Sequence, residues 1–369
     1  MWSHKGNAYF NCNVPLCEIS EEEKTPTSVE QRTSRVKSAS TQKYLLDLVR
    51  KYSLYESSKF EHTEKAHCVL LYLAISIMYN GRGEVKNGLS LNVLKDSNIP
   101  VGAGLGSSAA LCVASSAALL QSTGQITKQT CIVDEDLELI NKWAFCGETL
   151  LHGTPSGVDN TVSTYGGAIC FCKSQKSDGG GGSSNWRRLK GFPTLNVVVT
   201  NTKVPRETRA LVSGVRQLRE RIPELIESVF DSIETVVSSC VKRLKNSKLD
   251  EHFVGELMRV NHQLLNAIGV GHSSLNLIAD AMSSRSGITW TKLTGAGGGG
   301  CAVTLVPSDL ASSSHSSIGK LENCLKFLSE NHDFDCFRTK MGGLGVLITT
   351  TTTTTRTHHQ NHTHCTKEN

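Results

Sequence analysis

The sequence contains no apolar run long enough to cross a lipid bilayer and no large excess of charge. Its longest apolar run, residues 69–79, covers about half of the roughly 20 residues that a membrane-spanning helix needs. The net charge is only +5 over 369 residues, whereas nucleic acids and acidic membranes attract strongly basic surfaces. The first residues also lack the apolar core of a secretory signal. We therefore expect a cytoplasmic protein that binds neither nucleic acid nor membrane.

The sequence also lacks any pair of cysteines spaced as C-x-x-C, although it contains 13 cysteines. That spacing is typical of structural zinc sites, so its absence argues against one. We interpret the cysteines as the reduced thiols of an intracellular protein. The content of 38% hydrophobic and 20% charged residues fits a globular chain, and 369 residues suffice for two domains.

Apolar periodicity predicts a mixture of helices and strands. We expect helices at residues 61–79, 107–121 and 134–151, further helices across 206–245 and 251–285, and strands near 89–93, 195–200 and 302–306. Polar composition predicts a loop or disordered segment at residues 18–42. Four consecutive glycines make residues 173–188 the most linker-like interior stretch, so we place one domain at 1–190 and a second at 191–348.

The composition changes abruptly over residues 349–369. Seven consecutive threonines are followed by His358, His359, His362 and His364. A histidine cluster can bind a metal, but we interpret this segment as a low-complexity tail and assign it no function.

The clearest local signal is a glycine-rich turn at residues 100–110, between a predicted strand and a predicted helix. We call residues 102–106 the first glycine loop. Its glycines are Gly102, Gly104 and Gly106. Closely spaced glycines let the backbone approach a ligand without interference from Cβ atoms. The helix that starts near Ser107 offers unpaired N–H groups and the positive end of its dipole to a phosphate, and the Ser107 and Ser108 hydroxyls can contact phosphate or magnesium.

Other interpretations of this loop compete with a phosphate site. The glycines can simply make a tight connection. A dinucleotide-binding G-x-G-x-x-G fingerprint is a second alternative, but Ser107 stands at its third glycine and no acidic residue follows at a suitable distance. A Walker A loop is excluded because no Gly-Lys-Ser/Thr follows the glycines.

Two acidic residues, Glu148 and Asp159, stand close together in the sequence. On the predicted helix 134–151, Glu148 continues an apolar stripe of Leu137, Ile140 and Ala144. A carboxylate on a core-facing stripe is costly unless it is paired or binds a cation; the alternative is a helix-end residue that reaches solvent. Asp159 can be an ordinary turn residue. Together with a phosphate loop, however, the two acids supply a metal ligand and a base for phosphoryl transfer.

A second glycine-rich stretch precedes the predicted strand at 302–306. Residues 295–300, which we call the second glycine loop, contain five glycines in six positions. Each glycine costs conformational entropy on folding. A backbone that wraps closely around a ligand would justify that cost; a plain flexible loop is the alternative.

These three motifs, in this order, resemble the conserved blocks of the GHMP kinases, which include galactokinases, homoserine kinases, mevalonate kinases and phosphomevalonate kinases. Residues 100–109 are similar to the family's P-x-G-x-G-L-G-S-S-A block, and residues 292–300 to its C-terminal glycine block. Residues 136–167 narrow the resemblance to the mevalonate kinase subfamily, and residues 200–215 and 266–275 support it. The resemblance covers roughly residues 60–346.

The resemblance implies an α+β fold of two lobes, one like domain 2 of ribosomal protein S5 and one ferredoxin-like. It implies an enzyme that uses ATP and Mg²⁺ to convert mevalonate to 5-phosphomevalonate for isoprenoid and sterol synthesis, and a homodimer. By this resemblance Asp159 is the catalytic base, and Ser108 and Glu148 bind the metal. The residues that it places at the nucleotide are Ser97, Gly102, Ala103, Gly104, Leu105, Gly106, Ser107 and Ser108, with Gly295, Gly297 and Gly298 of the second glycine loop.

The chain departs from the family pattern near its start. Family members carry a P-G-K motif whose lysine lies near the catalytic aspartate, and nothing in residues 1–60 matches it. We therefore expect the N-terminal lobe to be incomplete at its beginning. The alternative function is a catalytically impaired or non-catalytic member of the family that binds nucleotide or a partner protein.

Overall fold

The computed structural model describes residues 8–25, 27–54, 60–80, 89–95, 99, 104–126, 132–173, 184–246, 250–312 and 315–348. None of the helices in these ranges is long and apolar enough to cross a membrane. The helices and strands form two lobes, each with its own apolar core.

The N-terminal lobe is predominantly helical. Its helices are α1 (Glu21–Lys24), α2 (Val29–Arg35), α3 (Ala39–Tyr52), α4 (Phe60–Asn80), α5 (Ser107–Ser122), α6 (Asp134–His152) and α7 (Val158–Tyr165). Its strands are β1 (Ala8–Val14), β2 (Ser53–Leu54), β3 (Leu89–Lys95), β4 (Ile169–Lys173) and β5 (Ser184–Arg188). The first three strands form an antiparallel sheet in the order β2-β1-β3, and β4 pairs with β5.

The core of this lobe lies where α4, α5 and α6 meet. Helix α4 is buried along most of residues 68–77. The helices pack tightly at Gly147 of α6, where a Cβ atom would lie 2.9 Å from the sulfur of Cys112 on α5 and 3.2 Å from Val69 on α4. Glycine at this position therefore lets α6 pack tightly against both neighbours.

The C-terminal lobe is a four-stranded antiparallel sheet packed against helices. Its strands are β6 (Leu195–Asn201), β7 (Thr291–Leu293), β8 (Cys301–Leu305) and β9 (Asp335–Met341), in the order β7-β8-β6-β9. Its helices are α8 (Thr208–Arg221), α9 (Pro223–Asn246), α10 (Glu251–Ala267), α11 (Ser273–Ala281), α12 (Ser308–Ser312) and α13 (His315–His332), with a single π-helical turn at Met282–Ser286.

The end of the described chain returns to the N-terminal lobe. The N–H of Gly167 donates to the carbonyl of Gly343 (2.8 Å), and the N–H of Val346 donates to the carbonyl of Thr164 (3.0 Å). Val346 and Ile348 then pack against the N-terminal core. The division at residues 190 and 348 stays a prediction, and the tail at 349–369 lies outside the described residues.

Most predicted elements are confirmed, but the loop prediction for residues 18–42 is wrong. This segment forms α1, α2 and the start of α3. Arg32 is fully buried, and its Nη1 lies 2.7 Å from Glu23 Oε2 and 3.1 Å from Ser76 Oγ on α4. A polar segment thus packs through a buried ion pair, which apolar periodicity cannot reveal. Ser28 and Gln31 form a capping box, and this signal was readable in the sequence.

The linker prediction for residues 173–188 is also wrong in part. Residues 184–188 form β5, which pairs with β4 so that Trp186 lies opposite Phe171. Trp186 also contacts the ring of Tyr165, with 4.6 Å between ring centroids. Residues 174–183, which include the four consecutive glycines, lie outside the described residues.

Candidate active site

The first glycine loop leads directly into α5. Gly104 and Gly106 adopt φ values of +76° and +72°, a region that favours glycine because it has no Cβ. Gly106 is the N-cap of α5 and has no side chain with which to cap it. The N–H groups of the first helical turn have no intrahelical acceptors. This helix end therefore offers donors and a favourable dipole to an anion.

Only part of the predicted nucleotide site lies in this described region. Gly104, Leu105, Gly106, Ser107 and Ser108 are described, whereas Ser97, Gly102 and Ala103 lie outside the described residues. Leu105 packs against the C-terminal core, so the loop lies where the two lobes meet.

Glu148 is buried, as the stripe on its helix predicts. Leu137, Ile140 and Ala144 face the core, and Glu148 itself is only 4% exposed. Its Oε1 lies 3.8 Å from the sulfur of Cys112, and its Oε2 lies 3.9 Å from His152 Nε2. Burial raises the pKa of the Glu148 carboxyl above its ordinary value, and hydrogen bonding by Ser108 opposes that rise. A buried carboxylate with these weak contacts is suited to binding a cation.

Asp159 lies in the first turn of α7, immediately beside the first glycine loop. A Cβ atom on Gly106 would lie 3.7 Å from Asp159 Cβ and 3.9 Å from its carboxyl carbon. The charge of Asp159 also contributes to raising the pKa of Glu148. The structure thus brings Ser108, Glu148 and Asp159 together at the start of α5, although 51 positions separate the first from the last in sequence.

The second glycine loop is held tightly to its own lobe. The N–H of Gly298 donates to Val270 O (2.9 Å), and the N–H of Gly300 donates to Val204 O (3.1 Å). A Cβ atom on Gly297 would overlap the carbonyl of Val270, and one on Gly299 would lie 2.8 Å from Val204 Cγ1. At these positions glycine is required by packing. Gly295 differs because it is exposed on the side of the first glycine loop, next to Arg206.

Arg206 connects the two glycine loops, and sequence reasoning did not single it out. A Cβ atom on Gly104 would overlap its guanidinium group, and one on Gly295 would lie 2.7 Å from its Nη1. The Arg206 guanidinium thus lies between two loops that are suited to binding phosphates. Its positive charge is placed to stabilise the negative charge of a phosphoryl group during transfer. The only sequence signal was its membership of the block at 200–215, because an arginine in a polar segment has no distinctive spacing.

The oxygen donors at this site fit a magnesium ion. The Ser108 hydroxyl and the Glu148 carboxylate are hard oxygen ligands, which Mg²⁺ prefers. Within the described ranges, no group of three or more His, Cys, Asp and Glu side chains could hold a metal by itself. Mg²⁺ at phosphoryl-transfer sites typically uses one or two protein carboxylates together with substrate phosphates. A two-ligand protein site beside a phosphate loop agrees with that chemistry.

Comparisons with known proteins identify the family. Residues 69–167 match the GHMP kinases N terminal domain, and residues 248–326 match the GHMP kinases C terminal domain. The chain is 40% identical to a mevalonate kinase of Homo sapiens over 291 residues, which cover 75% of this chain and 67% of that protein. It is 38% identical to a mevalonate kinase of Bos taurus over 293 residues, or 76% of this chain and 68% of that one.

A solved structure confirms the predicted fold. The crystal structure of L. major mevalonate kinase in complex with R-mevalonate superimposes with a TM-score of 0.59 at 24% identity, covering 79% of this chain and 81% of that one. The expected two-lobed α+β arrangement of the GHMP kinases is therefore correct.

Proposed function

The chain belongs to the mevalonate kinases, a branch of the GHMP kinases, and we propose that it transfers the γ-phosphoryl group of ATP to the hydroxyl of mevalonate, forming 5-phosphomevalonate and ADP. The observation that carries this proposal is the convergence of Ser108, Glu148 and Asp159 at the N-terminus of α5. The helix N-terminus supplies a phosphate cradle, Ser108 and Glu148 supply oxygen ligands for a cation, and Asp159 supplies a carboxylate for the attacking hydroxyl. These are the parts that phosphoryl transfer needs.

In the proposed reaction Asp159 takes the proton of the substrate hydroxyl. The hydroxyl oxygen then forms a bond to the γ-phosphorus while the bond from that phosphorus to the β–γ bridging oxygen breaks, and ADP leaves. Asp159 is exposed at the start of its helix, so its carboxylate is accessible to a substrate held at the first glycine loop.

The remaining residues bind and orient the phosphates. The N–H groups and the positive dipole end at the start of α5 would stabilise the phosphate oxygens. Arg206 supplies a full positive charge from the other lobe. When bound by Ser108 and Glu148, Mg²⁺ would neutralise charge on the phosphate oxygens. We further propose that Gly295 contacts the nucleotide. Gly297 and Gly298 pack against Val270 and Leu211, and their contact with the nucleotide stays a prediction.

An assay of ATP consumption with candidate acceptors tests this proposal. We expect ADP to form only when both Mg²⁺ and mevalonate are present, and ³¹P NMR should identify a phosphomonoester product. Turnover with galactose or homoserine but not with mevalonate would overturn the substrate. Binding of nucleotide with no turnover on any acceptor would instead support the non-catalytic alternative. A homodimer, predicted by resemblance, is tested on the same sample by sedimentation.

The variant Asp159→Asn tests the proposed base. Because the amide cannot accept the proton, we expect kcat to fall by about 10²–10⁴-fold, with nucleotide affinity unchanged. Asp231→Asn, an exposed substitution on α9, is the matched control and should leave kcat unaltered. Undiminished turnover of Asp159→Asn would exclude Asp159 from this role.

A further inference from the structure

His152 lies in the candidate site but has no part in the chemistry described so far. It is the last residue of α6, and its side chain is 55% exposed. It stands four residues after Glu148, so both side chains project from the same face of the helix. Its Nε2 lies 3.2 Å from Ser108 Oγ on α5 and 3.9 Å from Glu148 Oε2. Both proposed metal ligands therefore lie beside one imidazole nitrogen.

We propose that His152 is a positioning residue whose Nε2 accepts a hydrogen bond from the Ser108 hydroxyl and thereby directs that oxygen's lone pairs at the metal. This inference rests on the proposed function, because it concerns the same cation site. A serine hydroxyl carries one hydrogen and two lone pairs. An oxygen that binds a cation must point its hydrogen away from the cation, so this hydrogen needs an acceptor on the opposite side.

Two acceptors lie within reach of the Ser108 hydroxyl. One is the Glu148 carboxylate, whose pKa burial raises and the hydrogen bond from this hydroxyl partly lowers again. Once Glu148 binds the cation, its oxygens are directed at the metal, and His152 Nε2, at 3.2 Å, is then the acceptor available among the described side chains. The neutral imidazole has a lone pair at Nε2 when its proton is on Nδ1. Such partners behind a metal ligand fix the ligand's orientation.

The chemistry of the cation argues against His152 as a direct ligand. Mg²⁺ strongly prefers oxygen ligands, whereas imidazole nitrogen suits zinc, copper and nickel. More than half of the His152 side chain is exposed, so packing in the core does not explain its position. Its contact with Ser108 is therefore the feature that a substitution would change.

A pair of amide variants separates the proposed contact from a general loss of structure. The amide of glutamine reaches the position of Nε2, whereas the amide of asparagine reaches only that of Nδ1. The readout is Mn²⁺ binding in the presence of ADP, followed by electron paramagnetic resonance. We expect His152→Leu and His152→Asn to weaken Mn²⁺ binding by about 10–100-fold, and His152→Gln to stay within about threefold of the unchanged protein. ADP affinity in EDTA should be the same for all.

A double-mutant cycle with Ser108→Ala completes the test. If His152 acts through the Ser108 hydroxyl, His152→Leu has no further effect on Mn²⁺ affinity once that hydroxyl is removed. Additive losses, or unaltered Mn²⁺ affinity in His152→Leu, would overturn this inference and leave the proposed function intact. If the unchanged protein binds no Mn²⁺ with ADP, the proposed cation site fails and the inference fails with it.

Discussion

The two glycine loops have similar compositions but different physical roles. In the first loop, a Cβ atom on Gly106 would meet Asp159 alone among the residues that the structure describes, at ordinary contact distances of 3.7 and 3.9 Å. In the second loop, Gly297 and Gly299 press against the backbone and side chains of Val270 and Val204. Among the described residues, the first loop thus has space at Gly106 and faces the Arg206 side chain at Gly104, while much of the second loop is a closely packed part of the C-terminal lobe.

This difference limits what glycine content can predict. Glycine costs conformational entropy on folding, so we expected that a ligand approaches the second loop closely enough to require its glycines. For Gly297 and Gly299 the justification is packing against the rest of the lobe. Gly295 differs from these two because it is exposed beside Arg206, where a ligand can approach. Left-handed φ values occur in both loops and do not distinguish the two causes.

Among the variants that test this comparison of the loops, the largest effect is expected from removing Arg206, the residue that connects them. Arg206→Ala takes the guanidinium away from Gly104 and Gly295, so negative charge on the phosphates loses a partner. Loss of one preorganised charge-stabilising group typically costs about 10²–10³-fold in rate. We expect kcat/KM for ATP to fall by this amount, as measured by the coupled ATP-consumption assay.

Arg206→Lys is the matched control for charge. It keeps the positive charge but loses the planar fork that pairs with two phosphate oxygens, so its activity should lie between those of the unchanged protein and Arg206→Ala. Urea unfolding should give nearly the same free energy for all three proteins. A loss of stability that parallels the loss of activity would mean that Arg206 merely holds the loops together.

The next largest effect is expected in the free energy of unfolding, when one glycine of each loop is replaced by alanine. Gly297→Ala forces a left-handed backbone, at φ +83°, on a residue with a Cβ and pushes that atom into the Val270 carbonyl. We expect a loss of about 3 kcal/mol in the free energy of unfolding. Gly106→Ala faces a similar φ of +72° but has space for the methyl group, so its loss should be about 1 kcal/mol. Urea titrations measure both; equal losses would remove the distinction between an open and a packed loop.

Sequence patterns predicted the parts of the site that depend on local periodicity. The burial of Glu148 followed from its place after Ile140 and Ala144, because helical spacing fixes which face a residue occupies. The start of α5 followed in the same way from glycines that precede an alanine-rich stretch. These features depend on residues within two or three turns of each other.

Features that depend on contacts distant in sequence were not predicted. Arg206 reaches Gly104 across about 100 positions, and no local spacing records that approach. Arg32 pairs with Glu23 in the interior and also donates to Ser76, 44 positions away, so a segment of polar composition is helical and packed rather than a loop. The energy of such a pair depends on desolvation and geometry, which appear only when the partners and their surroundings are in place.

The smallest effect concerns a buried histidine that supports the second loop. His262 is 1% exposed, and its Nδ1 accepts the N–H of Leu293 (3.2 Å) on the strand that leads into the loop. Its Nε2 lies 3.1 Å from Asn276 Oδ1, so this nitrogen carries the proton and donates. A neutral ring satisfies both contacts, whereas a second proton on Nδ1 would break the bond to Leu293.

The contribution of His262 to the free energy of unfolding should therefore depend on pH. Burial lowers the pKa of His262, the charge of Lys292 lowers it further, and Asn276 and Asp280 oppose the shift. Between that lowered pKa and the ordinary value near 6.5, the unfolded chain binds a proton that the folded chain does not. Stability contributed by His262 is thus present above about pH 6.5 and is lost as the pH falls toward the folded pKa, by up to about 1.4 kcal/mol per pH unit.

Urea unfolding at several pH values between 7.5 and 5 measures this loss. In His262→Asn the amide oxygen can still accept the Leu293 N–H, but the side chain no longer titrates. We therefore expect a lower free energy of unfolding at pH 7.5 and a shallower decline toward pH 5. If the variant and the unchanged protein decline in parallel, the pH dependence arises from groups other than His262.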